Sequence, residues 1–336
     1  FNKIGAYMVA ANTTFKGEYF KVLADIDFKD IELAPIGTQT ILFEGIFDGN
    51  GKTFSNIKLE GDDDNQIHHI GLFSAAGENS EIFNLKLAAS SFKGYGYVGG
   101  IAALANGKIH DIEISADCAI TGTRKGTATS ANQDGSYVGS IAAKMGQKAV
   151  IENVVNRAPV STTQKYAGGI VGDGTDPASG TAPVAVIRNV VNYGDVISTA
   201  PRATVSSGGG APSYQMCEAH IGGIAGFLRA NIQNARNYGK VKGSQVNKLG
   251  GIAGSACLGS TIEKVENFDS IRGGQNVGGI VGFCVGSNSA KVFGYIKDAL
   301  NHGMIQSGDS TAHGSSSTSF AGGNGTYTGG VAGNVS

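Results

Sequence analysis

Tryptophan is absent from this chain, proline occurs 6 times and cysteine 4 times in 336 residues, and only 16% of the residues are charged. Each scarcity removes a class of protein. The four cysteines (Cys118, Cys217, Cys257, Cys284) are too few for a disulfide scaffold and nowhere form C-x-x-C, which leaves a zinc or redox site without support. No cofactor is expected. The 26 Lys and Arg against 27 Asp and Glu are spread without blocks, so there is no basic face for nucleic acid and no polybasic anchor. No apolar run approaches the ~18 residues that cross a bilayer, so no membrane insertion by this chain is expected. Long amphipathic segments, the units of helical repeats, are also missing. The chain opens at Phe1 without a methionine or a leader-type apolar segment, and it is expected to be part of a longer polypeptide.

Glycine, by contrast, is abundant, with 53 residues, and 41% of the chain is apolar. That combination permits a core and argues against a disordered low-complexity chain. The glycines recur in a motif: IGLFSA (from Ile70), VGGIAA (Val98), VGSIAA (Val138), AGGIVG (Ala167), IGGIAG (Ile221), LGGIAG (Leu249), VGGIVG (Val277) and TGGVAG (Thr328). Gly222, Gly250 and Gly278 set a basic period of 28 residues, and longer steps mark insertions. A second register, I-x-N-x-x-N-Y-G-x-V in later copies, places Asn156, Asn192, Asn237, Asn267 and Asn301 at one offset.

Each copy holds short β-branched segments punctuated by Gly, Asn and Asp, which are strand and turn signals. Such strands cannot bury both faces alone. Stacking equivalent strands about 4.8 Å apart buries the recurrent Ile and Val in one interior. The fold class expected is all-β: a right-handed parallel β-helix solenoid of about eight coils, right-handed crossover being the default. The five asparagines are expected to form a stacked ladder. IGAYMVAAN (Ile4 to Asn12) is expected to be a short N-terminal capping helix ended by Asn12, followed by a strand from Tyr19 to Phe28. The sequence stops at Ser336 just after TGGVAG begins another half-coil; the expectation is that the polypeptide continues there or that a partner covers the last strand.

APIGTQTILFEGIFDGNGKTFSNIKL (Ala34 to Leu59), IGLFSAAGENSEIFNLKL (Ile70 to Leu87) and the G-G-I-A-G and N-x-x-N-x-G-x-V copies resemble GLUG-motif proteins. These are repeat-rich surface proteins of Bacteroidota and other bacteria, and the motif also lies upstream of the peptidase domain in immunoglobulin A1-specific metalloproteases. The resemblance covers nearly the whole chain, taken as one β-helix domain over 1–336, with a cap and first coils in 1–60 and GLUG-type repeats in 61–336. It implies an architecture and a surface location, not a mapped site. Ser140 departs from the pattern by replacing a glycine, and H-E-x-x-H occurs nowhere, so the protease activity that accompanies the motif elsewhere is not expected here.

Several residues invite a chemical reading beside a structural one. GNGKTF ends like a phosphate loop, but Ile46 stands where the loop needs glycine, and a tight turn between two strands is the better reading. Asp62 to Asp64 could hold calcium or form a solvated loop. Asp25 and Asp27 alternate on one strand face and could serve as a carboxylate pair, although neighbouring coils offer nothing to complete a cleft. His68, His69, His110, His220 and His313 show no metal spacing and are expected at the surface or in turns. Cys257 and Cys284, at similar offsets on consecutive coils, could form a disulfide or remain as stacked buried thiols.

The residues following the asparagines are Arg157, Tyr193, Tyr238, Phe268 and His302, four of them flat rings. They are expected to line one edge of the rod and form a candidate ligand surface, or to stabilise a corner by stacking. The insertions Thr121 to Tyr137, Gly172 to Ala185, Ser198 to Ala219 and Ser307 to Thr328 are rich in Ser, Thr, Gly and Ala, and loops from related turns gather on one face that often binds. The functional expectation is a non-catalytic, extracellular cell-surface adhesin or ligand-binding module whose partner is a host glycan, mucin or surface protein. The alternatives are a polysaccharide-processing β-helix enzyme, a lyase or glycoside hydrolase, and a purely structural stalk.

Overall fold

The computed structural model describes residues 1–61, 68–123, 136–163, 165–175, 181–200, 203–205, 213–215, 217–243, 245–257, 259–284, 294–307 and 327–335. Asp62–Asp64, His313 and most of the four insertions lie outside the described residues.

The described chain is a parallel β-helix in which each coil visits four sheets in a fixed order, designated sheets 1 to 4. One coil illustrates the plan: Asn231–Asn237 in sheet 1, Val241–Gly243 in sheet 2, Val246–Gly250 in sheet 3 and Ala253–Ala256 in sheet 4. Eight such coils are stacked, and sheets 2, 3 and 4 contain 8 strands each. The stacking follows from side-chain register. Ile82, Ile109, Ile151, Ile187, Ile232, Ile262 and Ile296 are direct neighbours in sheet 1, and all but Ile296 are fully buried. Phe92, Ile120, Val160, Val196, Val241 and Ile271 make the same kind of row in sheet 2. Burying each such side chain contributes about 1.5–3 kcal/mol, and a one-residue slip would turn a whole row outward.

The seven long strands of sheet 1 that follow Ile46–Ser55 each bend at one residue with positive φ: Asn84, Asp111, Asn153, Asn189, Asn234, Lys264 and Asp298. Asn and Asp tolerate that conformation, which explains the third position of I-x-N. The bend lets residues three apart, such as Ile109 and Ile112, both face inward. On the outside these residues form an amide chain: Asn153 Nδ2 donates to Asp111 Oδ1 (3.1 Å), Asn189 to Asn153 (3.2 Å) and Asn234 to Asn189 (2.9 Å).

A second chain of amides runs inside. Asn156 Nδ2 donates to Asn192 Oδ1, Asn192 to Asn237 and Asn237 to Asn267, each at 2.8 Å, and Asn267 to Asn301 at 2.7 Å. Each Nδ2 also donates to the carbonyl two residues on, as Asn237 does to Gly239 (2.7 Å). Full burial of Asn156, Asn192, Asn237 and Asn267 is tolerable because these polar atoms are satisfied by the stack. In the preceding coils the same register holds Phe54, Leu87 and Ile114, so the ladder starts where apolar residues stop.

At the N-terminus the helix spans Asn2–Ala10, not Ile4 to Asn12; the chain turns at Ala11 and Asn12 takes φ 50°. The expected strand from Tyr19 to Phe28 is two short ones, Tyr19–Lys21 and Ile26–Asp27. Both pair with Ile46–Ser55, which bends at Asn50 and Gly51 and so cannot be followed by a straight strand. GNGKTF therefore lies within one bent strand instead of joining two. Phe1 packs edge-on against Phe28, Phe47, Phe54 and Phe73, with centroids 5.5–6.2 Å apart, and Ile36 and Phe43 bridge to Phe73 and Ala76. This cap covers the first edges of sheets 1 and 4, which would otherwise template pairing with another chain.

Replacing Asn237 by Leu is expected to cost about 2–4 kcal/mol, because it strands the Asn192 donor, the Asn267 acceptor and the Gly239 carbonyl in the interior. Urea unfolding checks this; a loss below about 1 kcal/mol would mean that the rung is dispensable.

Candidate ligand-binding face

The corner between sheets 1 and 2 carries the row singled out in the sequence. Tyr193 and Tyr238 stack at 4.9 Å and 11°, Tyr238 and Phe268 at 4.4 Å and 6°, and Phe268 and His302 at 4.8 Å and 15°. The Arg157 guanidinium lies 4.6 Å from the Tyr193 ring centroid and covers that end. Rings stacked along the rod spend their faces on one another and show solvent mainly their edges. A sugar cannot stack on the interior rings of such a row, so the geometry favours the corner-stabilising reading. The flanking outer surface of sheet 1 alternates charge across coils: Lys108 sits 3.4 Å from Glu81 and 3.1 Å from Glu152, and Arg188 pairs with Glu152 at 2.5 Å.

A different face emerges from the connections. Sheet 3 always reaches sheet 4 through two residues, such as Gly99 to Ala102 or Gly250 to Ala253, and sheet 1 reaches sheet 2 through similarly short turns. The long connections leave elsewhere. Residues 61–67, 123–136, 199–216 and 308–326 link sheet 2 to sheet 3, and residues 175–185 and 285–294 link sheet 4 to sheet 1. Those two corners are the borders of the surface made by sheets 3 and 4.

That surface is re-entrant. The outward row of sheet 3 runs His69, Tyr97, Tyr137, Tyr166, His220 and Lys248, and that of sheet 4 runs Leu104, Lys144, Asp173, Phe227, Ser255 and Phe283. The two rows touch. His220 stacks on Phe227 at 4.8 Å, the Lys144 ammonium lies 5.8 Å from the Tyr137 ring and the Lys248 ammonium 4.9 Å from that of Phe283. Outward side chains of adjacent sheets diverge on a convex corner, so their contact requires a furrow. His69, Tyr97 and Tyr137 stack along it at 4.8 and 5.0 Å. Burial, with a smaller effect from His68, lowers the pKa of His69. At the depth of the furrow Asp173 is 4% exposed and accepts from Arg229 Nε at 3.0 Å. Burial pushes its carboxyl up to about 6 despite the charges of Arg229 and Lys144.

The other candidates resolve as follows. Asp25 and Asp27 are exposed and occupied: Asp25 accepts from the Thr53 N–H, and Asp27 from the Lys29 N–H and Asn56 Nδ2. Asp25 borders a mostly apolar depression of about 340 Å³ beside Phe1, Phe20 and Phe54, whereas Asp27 is not part of its lining, so the two carboxylates do not face one cleft as a pair. Cys257 and Cys284 are free thiols; Cys284 pairs in register with Ala256, so Cys257 lies one residue past it, and burial raises both thiol pKa values. His220 is not a surface residue, being 4% exposed, and His110 stacks on Phe83 at 4.8 Å. Among the described residues no group of three or more His, Cys, Asp and Glu is placed to hold a metal ion. None of the described helices is long and apolar enough to cross a membrane. The furrow went unseen in the sequence, although its one available signal, Tyr or His two residues before the first glycine of several motif copies, stands in YVGG, YVGS, YAGG and HIGG.

No family model matches the chain. Among curated proteins it is 24% identical over 347 residues to halomucin of Haloquadratum walsbyi (strain DSM 16790 / HBSQ001), an alignment that takes in 82% of this chain and 4% of halomucin. Among solved structures it is similar to that of a "putative immunoglobulin A1 protease from Bacteroides ovatus", with a TM-score of 0.55 and 18% identity over 98% of this chain and 81% of that one. At that identity the likeness concerns the fold alone.

The Asp173 carboxyl is protonated more readily in the fold than at its ordinary value of 3.8. Its contribution to stability is therefore fully present below about pH 4 and is lost as pH rises to about 6. Urea midpoints of the wild type relative to Asp173→Asn are expected to fall across this window. A constant difference would contradict the assignment.

Proposed function

We propose that this chain is an extracellular, cell-surface adhesion module built from GLUG-type repeats in a single β-helix domain, and that it presents a ligand face without catalysing a reaction. The observation that carries this reading is the placement of the long connections, all of which leave from the two corners bordering sheets 3 and 4. A solenoid tolerates insertions at any turn, and their confinement to the borders of one furrowed face supports reading that face as the one under functional demand. The names halomucin and "putative immunoglobulin A1 protease" carried by proteins similar to this chain support a place outside the cell. The partner on this reading is a host glycan, mucin or surface protein, met at several points along a rigid rod.

One observation favours the enzymatic alternative. Lys144, Asp173 and Arg229, on consecutive coils, bring together the charge types that polysaccharide chemistry uses. Asp173 is nevertheless almost fully buried and its Oδ1 is held by Arg229. A group that must touch a sugar ring needs a path to it, and this carboxylate is better accounted for as part of the packed seam.

Purified chain coupled to beads is expected to be retained on a mucin-coated surface and to release no fragments from polysaccharides. Tyr238→Ala is expected to lower stability by roughly 0.5–1.5 kcal/mol through lost stacking and to leave retention unchanged. Loss of retention with unaltered stability would instead make Tyr193, Tyr238, Phe268 and His302 the ligand surface. Absence of retention on mucin and on host cells alike would remove the adhesion reading and leave a stalk.

A further inference from the structure

We propose that the N-terminal end of the furrow is a binding groove for a neutral oligosaccharide, a proposal that rests on the adhesion reading and assigns it a site. Two open depressions of about 400 and 430 Å³ lie side by side there and share Asn106 and Thr175. Each falls in the size range of about 300–1,000 Å³ that small-molecule sites occupy, and together they form a trough across several coils. One wall comes from the N-terminal segment, through Gln39, Thr40 and Leu42. The other comes from coils stacked behind it, through Tyr97, Leu104 and Gln147.

The chemistry of the lining selects the ligand. Hydroxyls and carboxamides dominate: Thr14, Thr40, Thr175, Gln39, Asn106 and Gln147. Planar amides and hydroxyls both donate and accept, as the hydroxyls of a sugar do. The charged groups at the groove are already engaged. Glu44 accepts from Asn79 at 3.0 Å, Glu78 pairs with Lys148 at 2.9 Å, and Lys144 lies against the Tyr137 ring. The pKa of His69 is lowered by burial, which keeps its ring neutral near pH 7, and its Nδ1 is 3.0 Å from Gln39 Nε2. An anionic glycan would thus find no uncommitted cation, and the two glutamates would oppose it.

A peptide is disfavoured by two features. The first strand of sheet 4, Phe73–Ala76, is bridged by Ile36 and Phe43, so its edge does not take up an extended peptide by strand addition. The apolar lining amounts to Leu42 and Leu104 with the ring of Tyr97, which is too little for the buried anchors that peptide recognition relies on. Because Tyr97 is stacked between His69 and Tyr137, the sugar is held by hydrogen bonds and by the ring edge, with no ring face to stack on.

The test is a glycan array probed with the full purified chain, comparing neutral oligosaccharides with sialylated, sulfated and uronic acid-containing ones, then titration of the best neutral glycan. Asn106→Ala is expected to weaken that binding by about tenfold, as loss of a bonding side chain does, and Leu104→Glu to abolish it. Lys242→Ala, on the outer row of sheet 2, is expected to change nothing. Circular dichroism and melting temperature accompany each variant, and Thr40→Ala with Asn106→Ala carries the test if Leu104→Glu does not fold. Binding confined to acidic glycans, neutral-glycan binding that survives all groove variants, or no glycan binding at all would each overturn the proposal. Retention on mucin and on host cells measured in parallel separates the two readings: retention without a groove effect sinks the groove and leaves adhesion standing, whereas absence of retention on both surfaces sinks both.

Discussion

The approach of two backbones at the corner between sheets 3 and 4 is the constraint on which the remaining geometry depends. A Cβ on Gly222, Gly250 or Gly278 would overlap the carbonyl oxygen three residues later, at Ala225, Ala253 or Val281. The second glycine of the pair, as at Gly223 or Gly251, lies against the side-chain amide of the next coil's ladder asparagine, Asn237 or Asn267. These glycines have no unusual φ; what they supply is the absence of a side chain where the chain must fold back on itself. The tight corner fixes the length of the connection at two residues, folds sheet 4 against sheet 3 and so creates the furrow. It also brings the ladder asparagines close enough to a backbone to be enclosed without a void. Ser140, which stands in place of this second glycine, is buried and turns its hydroxyl to the Gly169 carbonyl at 2.5 Å, so the extra atoms are absorbed by a hydrogen bond, and in the first coil Leu72 takes the position and is buried.

From that corner the energetics divide along the rod. The N-terminal coils are held by phenylalanine packing, with Phe47, Phe54, Phe73 and Phe92 almost fully buried, and the later coils by amides in the same register. Aromatic burial needs volume, which the cap supplies, whereas the amide stack needs identical neighbours above and below, which only successive repeats supply. Change of filling at Asn156 therefore divides a capped end from a repetitive one. The concavity lies at the capped end, where the N-terminal segment has to pass over coils it does not match in shape, and the repetitive coils beyond it close their furrow with Phe227 and Phe283.

Much of this architecture could be read from the residues. Recurrence of G-G-I-x-G and of I-x-N-x-x-N gave the coil, the interior rows and the positions of the asparagine ladder, because a solenoid converts sequence period directly into spatial neighbourhood. Boundaries in the non-repetitive N-terminal segment were less legible. Nothing in Tyr19 to Phe28 announces that its partner strand bends at Asn50 and Gly51, and a strand breaks where its neighbour bends. The positive-φ residues at the third motif position were visible as letters, but their second, external amide chain depends on the bend they create.

What the sequence determined by itself is the repeat, and with it which residues lie above which, since register along a stack of coils is a property of spacing alone. What only the tertiary structure decided is which surfaces remain available. Stacking consumed the faces of Tyr193, Tyr238 and Phe268, and the fold-back at the glycine corner set Tyr137 beside Lys144 and His220 beside Phe227. It also placed the long connections along the two borders of that furrow. The angle between successive sheets governs all of these outcomes, and no period in the sequence encodes an angle.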